Sequence, residues 1–272
     1  MRNKVGLFTL FLSLACGGLT DGTSPGGGEA IEAPPDAEGT IVVTVLYFDN
    51  NTNDEKFDPF GKGLADMMVT DLSGVDGMRV VERAKLQALI SELDLQQTDF
   101  FDPSTAQKLG SGLGATHAIT GSISAFDPQV RIDLRLIDVA SSEVTLADKV
   151  SGNADDLFSL QEQLADKFAA AFDKTRDKSA TDQTRVGSAE VLLEYGEALE
   201  ATDEGDLERA SAALGRVVSK APDFKLAQSR YEDALKAMRE ARKKREGLLN
   251  RGQQALLDNA DTFLKQDVSK LG

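Results

Sequence analysis

The sequence predicts an α/β domain, with helices packed on a mixed sheet that includes an antiparallel meander, followed by an all-α tail. Three observations predict this order. Residues 41–48 form a near-continuous β-branched and apolar run, which is typical of a strand buried on both faces. Residues 117–150 contain three strand-like segments separated by hairpin-sized connections. The second and third segments alternate apolar and polar residues, which predicts that Val130, Ile132, Leu134, Leu136, Val144 and Leu146 face the core. After a polar stretch at 174–187, helical spacing continues to the end of the chain.

The amino terminus has the pattern of a secretory signal peptide. Arg2 and Lys4 precede an uncharged apolar run at 5–14, which is too short to span a bilayer. Ser13-Leu14-Ala15-Cys16 resembles the lipobox of bacterial lipoproteins, with Ser13 where that pattern usually has leucine. Cys16 is the only cysteine, so it has no partner for an internal disulfide. We expect cleavage before Cys16 and lipidation of its thiol; the alternative is an ordinary signal peptide with an incidental cysteine.

The elements of the first domain follow in order from their periodicity. Residues 16–39 are rich in Gly, Pro and acidic residues and are predicted to form a flexible tether. The domain itself is predicted at 40–175, before a linker at 176–187, which is expected to be exposed because it has almost no apolar residues, and a helical region at 188–272. Within it we predict helices at 60–72, 82–93 and 156–172, a helix opened by Asp102 and ended by Gly110 or Gly114, a short strand at 78–81, and meander strands at 117–125, 129–138 and 143–150.

Composition and motifs indicate no catalytic, metal or cofactor site. The formal net charge of −15 disfavours nucleic acid as a partner. His117 is the only histidine and lies in a predicted strand, where a structural role is expected. Residues 49–53 resemble the start of a calcium loop, but Asp54 and Phe60 stand where glycine and glutamate are required, so an Asx turn is expected. No small-molecule substrate is inferred.

Several ordered motifs of the first domain resemble one protein family. They are V-L-Y-F-D-N at 45–50, M-R-V-V-E-R at 78–83, G-A-T-H-A-I-T-G-S-I at 114–123 and R-L-I-D-V-A-S-S-E at 135–143. They are similar to motifs of the curli-secretion (CsgG-like) and TolB-like amino-terminal domain lipoproteins. The resemblance implies the fold and a place in the cell envelope. Channel-forming members carry long membrane hairpins where this chain has only residues 126–128 and 151–155, which counts against a pore.

The helical region resembles a degenerate tetratricopeptide repeat. Gly205, Ala210 and Pro222 fall at the spacing of its inter-helix turn, small residue and terminal proline, and a second copy from residue 224 lacks a clear turn. A basic run at 236–245 is interpreted as a solvated helix face, with docking of an anionic partner or lipid headgroups as the alternative. These patterns predict five candidate partner-binding residues: Tyr195, Ala210, Tyr231, Arg239 and Arg242.

These observations predict a non-enzymatic envelope lipoprotein that acts as a scaffold or as an accessory factor in assembly or transport. It is expected to be held on a membrane by lipid at Cys16 and to bind envelope proteins, with self-association left open. Gly17 after the cysteine suggests sorting to the outer membrane of a two-membrane bacterium, on the periplasmic side. The first alternative is a subunit of a curli-type secretion channel. The second is an enzyme acting on cell-wall polymer, or its activator, although no carboxylate pair is marked.

Overall fold

The computed structural model describes residues 40–93, 95, 100–125, 128–177 and 183–268, with side chains to Leu256. The signal peptide, the tether and Cys16 lie outside the described residues. The described residues form one compact unit. Its strands are β1 Ile41–Val45, β2 Asp49–Asn50, β3 Met78–Val80, β4 His117–Ala125, β5 Gln129–Asp138 and β6 Val144–Asn153. Its helices are α1 Asp58–Ser73, α2 Arg83–Glu92, α3 Pro103–Gly112, α4 Leu157–Ala171, α5 Ala189–Asp203, α6 Leu207–Lys220 and α7 Lys225–Val268.

The sheet is mixed, as predicted, and its strands run in the order β3-β1-β4-β5-β6. β1 pairs in parallel with β3 and β4, and β4, β5 and β6 form an antiparallel meander. β2 adds a short parallel pairing at the end of β4. The predicted fold class, helices on a mixed sheet followed by helices alone, is confirmed.

The first strand is shorter than predicted because the chain leaves it towards α1. Pairing with β3 ends at Val43 and pairing with β4 ends at Val45. The backbone N–H of Phe48 then donates to the carbonyl of Gly61 at 3.4 Å. A Cβ at Gly61 would lie 1.9 Å from the Phe48 carbonyl oxygen, so only glycine permits this approach. Asp49 and Asn50, predicted to end the strand, instead form β2 against β4.

The meander divides into a buried strand and an exposed edge. In β5 the predicted alternation is confirmed, with Val130, Ile132 and Leu134 buried on one face. In β6 the predicted alternation is wrong, because Val144 is 41% exposed and only Val150 is fully buried. β6 is the edge of the sheet, where one strand neighbour is missing and no second layer covers most of its length.

The helical region folds back onto the α/β part. Gly205, with φ of +76°, turns the chain between α5 and α6, and Asp206 caps α6 by accepting from the N–H of Arg209. α7 is one continuous helix through the residues where a second repeat was considered. A Cβ at Gly196 in α5 would lie 1.9 Å from the carbonyl oxygen of Pro59 in α1, so these two helices are in backbone contact. The resemblance of α5 and α6 to a tetratricopeptide repeat stays a prediction.

The predicted linker carries buried side chains and is anchored to α1. Asp71, itself fully buried, accepts from Gln161 Nε2 at 2.6 Å and from Thr184 Oγ1 at 2.9 Å. Arg176 lies 3.8 Å from the same carboxylate and 3.1 Å from Asp166. Burial raises the pKa of Asp71, although the two hydrogen bonds and the Arg176 charge oppose it. The expectation that this segment is exposed throughout is therefore wrong for Arg176 and Thr184.

Candidate functional site

A buried cluster of charged side chains joins the α/β part to the helical region, and we call it the junction cluster. Its centre is Asp66 of α1, which is inaccessible to solvent. Tyr195 Oη donates to Asp66 Oδ2 at 2.6 Å, and Arg230 of α7 donates to both carboxylate oxygens at 2.8 and 3.2 Å. Arg83 Nε lies 3.5 Å from Asp66 Oδ1. One carboxylate thus holds groups from α1, α2, α5 and α7 together.

A second carboxylate, Asp203 at the end of α5, completes the junction cluster. Arg83 Nη1 donates to its two oxygens at 2.7 and 2.9 Å, and Lys62 Nζ donates at 3.0 Å. Tyr47 Oη accepts from Arg83 at 3.3 Å and donates to Gln87 Oε1 at 2.9 Å. Lys62, Arg83 and Asp203 have side chains no more than 9% exposed, so each charge depends on its partners rather than on water.

The electrostatics of the junction cluster favour a structural role. Burial, and then the Asp66 charge, raise the pKa of Tyr195, and burial raises the pKa of Tyr47. Both phenols therefore stay protonated at neutral pH and act as donors. Burial lowers the pKa of Arg230, but the charges of Asp66 and Tyr195 and the hydrogen bonds to them together outweigh burial, so the net shift is upward. A glycosidase-type pair needs two carboxylates flanking a cleft, whereas Asp66 and Asp203 are buried and held by cations.

Sequence reasoning missed the junction cluster. Its partners are far apart in the chain, and charged residues at helical spacing, such as Lys62 and Asp66, are usually solvated. A signal was present in Gly63 and Gly196, which sit inside predicted helices where glycine costs stability. A Cβ at Gly63 would lie 2.7 Å from Leu192 of α5, so both glycines mark the close approach of α1 and α5.

The structure separates the five predicted partner-binding residues into two groups. Tyr195 and Ala210 are fully buried, and Tyr195 packs against Phe224 with ring centroids 4.9 Å apart. Their burial assigns them a structural role and corrects the expectation that they contact a partner. Tyr231 is half-buried beside Gly215 of α6. Arg239 and Arg242 are exposed on α7.

Arg239 and Arg242 line a groove between the start of α6 and the middle of α7, which we call the distal groove. Its volume is about 740 Å³. Arg242 Nε donates to Glu246 Oε1 at 3.1 Å, and Arg239 Nε donates to the carbonyl of Leu235 in its own helix. The lining residues are Leu207 and Glu208 of α6 and Leu235, Met238, Arg239, Ala241, Arg242, Arg245, Glu246 and Leu249 of α7. The lining thus combines five apolar residues with three arginines and two glutamates.

His117 and Asn50 both contact neighbouring protein groups. His117 Nδ1 is 2.9 Å from Thr116 Oγ1, and its ring meets Phe172 edge-on. Burial lowers the pKa of His117, and the charge of Asp138 opposes the shift. Asn50 Oδ1 accepts from the N–H of Thr52 at 3.0 Å, which confirms the predicted Asx turn. Within the described ranges, no group of three His, Cys, Asp or Glu side chains is placed to hold a metal ion.

No helix in the part of the chain that the structure describes is both long and apolar enough to cross a membrane.

Comparison with known families concerns the α/β part. Residues 28–132 match the family model described as "Curli production assembly/transport component CsgG". The predicted resemblance to the CsgG family is confirmed. The match runs from before β1 into β5 and leaves out α4 and the whole helical region. Similarity to this family supports an envelope accessory or scaffold role.

One curated relative has a different description. A "Putative adenylate cyclase 3" of Rhizobium meliloti (strain 1021) is 25% identical over 135 residues, which are 50% of this chain and 21% of that protein. The chain therefore spans about a fifth of the length of this relative. A match over so small a share of the cyclase does not carry its activity to this chain.

Similar solved structures also cover about half of the chain. The LpoB C-terminal domain from Salmonella enterica has 18% identity and a TM-score of 0.36, covering 44% of this chain and 87% of that one. Lipoprotein GNA1162 from Neisseria meningitidis has 15% identity and a TM-score of 0.38, and the match covers 47% of this chain and 96% of that chain. The PelC dodecamer from Paraburkholderia phytofirmans has 16% identity and a TM-score of 0.32, covering 51% and 92%. Likenesses at this level say nothing about function.

Proposed function

We propose that this chain is a non-enzymatic envelope lipoprotein that acts as a scaffold, with the α/β part as its base and α7 as its partner-binding arm. The observation that carries the proposal is the junction cluster. Arg230 of α7 and Asp203 of α5 are each paired with buried groups of the α/β part, so the helices are fixed to the base. Beyond these contacts, α7 presents exposed side chains along the distal groove.

The anchor in this proposal is lipid on Cys16, at the periplasmic face of an outer membrane. Support comes from the signal-like residues 1–15 and from the similarity of residues 28–132 to an envelope family. In a bacterial host, labelled palmitate should enter the wild-type protein and not the Cys16→Ser variant. Equal labelling of both proteins would contradict lipidation.

The scaffold role is tested by site-specific photo-crosslinking in native membranes. A crosslinker at Leu249, on the distal groove, should give a discrete adduct with another envelope protein. A crosslinker at Lys244, an exposed residue of α7 outside that groove, should not give the adduct and is the matched control. Adducts from both positions, or from neither, would contradict a partner-binding arm.

The family description favours a second candidate, a subunit of a curli-type secretion channel. That candidate predicts detergent-stable rings extracted from membranes and conductance in planar bilayers. The scaffold proposal predicts a protein that, once freed of residues 1–37, remains monodisperse without detergent.

The enzyme alternatives predict turnover. The scaffold proposal instead predicts that the protein neither hydrolyses purified peptidoglycan nor converts ATP to cyclic AMP, under conditions in which positive-control enzymes do. Turnover that survives purification and is lost on substitution of a single surface carboxylate would replace the scaffold proposal with an enzyme.

A further inference from the structure

The distal part of α7 carries a stripe of residues with coiled-coil spacing. Its members are separated alternately by three and four residues, which is the spacing of the core positions of a heptad repeat. This spacing places them on one face of the helix. The members are Leu235, Met238, Arg242, Arg245, Leu249, Gly252 and Leu256. Two helices joined by such a stripe bury it between them, so its exposure marks a surface fitted to another helix.

The stripe is covered at one end and open at the other. Leu235 and Met238 are half-buried where α6 begins. Leu249 is 61% exposed and Leu256 is 70% exposed, so no described element covers these leucines. The distal groove therefore leads from a packed end beside α6 onto an open apolar face.

The charges on this surface restrict what can cover it. Residues 236–251 contain seven Lys or Arg and two Glu in a chain of net charge −15. Arg242 and Arg245 occupy two successive core positions of the stripe, between the leucines. Arg242 already donates to the Glu246 carboxylate through Nε at 3.1 Å. A partner that buries the leucines is therefore favoured when it brings carboxylates to the remaining donors of Arg242 and to Arg245, because burying a guanidinium group with unmet donors is costly.

Two other occupants fit less well. A second copy paired through the same stripe would place these arginines against each other, or against leucine and glycine, with no carboxylate from its stripe. A bilayer is flat, whereas the groove is recessed between α6 and α7.

We propose that the distal groove binds an acidic amphipathic helix of another protein. The helix has leucine-type residues at heptad spacing and Asp or Glu at the two core positions that face Arg242 and Arg245. This inference rests on the proposed scaffold function and names the chemistry of its partner.

The test uses the full chain without its signal peptide and two labelled synthetic helices of about four heptads. Both have leucine at the core positions, except at two successive ones, which are Glu in the first helix and Lys in the second. Fluorescence anisotropy should show the Glu helix binding at least about tenfold more tightly, a difference of about 1.4 kcal/mol. Equal binding of both helices, or binding of neither, would overturn the proposal.

Charge reversal locates the site. The double variant Arg242→Glu, Arg245→Glu should reverse the preference, so that the Lys helix binds more tightly. Its control, Lys243→Glu with Lys244→Glu, makes the same change of net charge outside the distal groove and should keep the original preference. All four residues are exposed, and circular dichroism checks that each variant is folded. A preference that survives the reversal, or that is lost in the control, would overturn the proposal.

Further measurements distinguish an acidic helix from the two other possible occupants of the distal groove, a membrane surface and a second copy of the chain. Binding to phosphatidylglycerol vesicles that the Arg242→Glu, Arg245→Glu variant loses would replace the helix with a membrane surface. Concentration-dependent dimerisation in sedimentation that Leu249→Glu abolishes would replace it with a second copy. If crosslinking at Leu249 in membranes yields a partner with no acidic helical segment, this inference is wrong while the scaffold function stands.

Discussion

The two halves of α7 differ in what their arginines meet. In the proximal half, Arg230 donates to both oxygens of a fully buried aspartate from α1. In the distal half, Arg242 reaches only Glu246, one turn along its own helix and exposed to water. The same residue type in the same helix thus fixes the fold at one end and is presented to solvent at the other.

This difference indicates where stability and binding reside. A buried cluster of paired charges specifies one arrangement of helices, because any other arrangement leaves charges without partners. Exposed ion pairs contribute little to stability and leave a surface free to exchange partners. We therefore expect substitutions in the proximal half to affect folding and substitutions in the distal half to affect binding.

The largest effect should come from the centre of the junction cluster. Asp66→Asn removes a fully buried charge that faces Arg83, Tyr195 and Arg230. Breaking a buried pair in this way costs about 3–5 kcal/mol. Urea unfolding followed by circular dichroism measures the loss. Asp223→Asn, at an exposed position before α7, is the control and should change stability by less than about 0.5 kcal/mol. A small loss for Asp66→Asn would mean that α7 is held by its apolar contacts alone.

A smaller effect should come from the backbone contact between α5 and α1. Gly196→Ala places a Cβ 1.9 Å from the Pro59 carbonyl oxygen, so the helices must move apart, at about 1–3 kcal/mol. Gly215→Ala in α6 is the matched control, since its nearest atoms are those of Tyr231 at 3.6 Å or more. Removing a helical glycine there should stabilise the protein by about 0.5–1 kcal/mol. Thermal unfolding should therefore shift in opposite directions, and shifts in the same direction would contradict the close contact.

Much of the fold can be predicted from the local sequence pattern, but the junction cluster cannot. The Asp102 cap of α3 and the alternation in β5 depend on neighbours within a few residues, so the sequence predicts them correctly. The premature end of β1 depends on Gly61, and the exposure of Val144 depends on the place of β6 in the sheet. Neither is visible in local periodicity.

The candidate site was predictable only in its exposed part. Arg239 and Arg242 belong to a basic run that stands out in an acidic chain, and they lie on the distal groove. Asp66 and Arg230 are 164 residues apart, and their pairing arises only when α7 packs against α1. Tyr195 was predicted to contact a partner because a repeat pattern gives the spacing of residues along a helix but does not show which other helix covers them.

A pH effect tests a region outside both halves of α7. Burial keeps the pKa of His117 below the ordinary value of 6.5. As pH falls below about 6.5, the unfolded chain therefore binds a proton before the folded chain does, and folding stability decreases through that window. His117→Gln should remove this component, which is measured as the difference between urea midpoints at about pH 7.5 and 5.5 in the two proteins. Because His117 is the only histidine, an unchanged difference would contradict the shift.

The smallest effect should come from removing the distal half altogether. Deleting residues 241–272 takes away Leu248, Leu249 and Leu256, which are 54–70% exposed, and leaves the Arg230–Asp66 pair in place. The free energy of unfolding should change by less than about 0.5 kcal/mol, because little buried surface is lost. A chain ending at Phe224 is the comparison: it lacks Arg230 and should lose stability as Asp66→Asn does. The shorter deletion should still abolish crosslinking to the partner, since the distal groove is lost with it. If it instead unfolds the protein, the distal half is part of the folded core, and the division of α7 into a fixed half and a binding half is wrong.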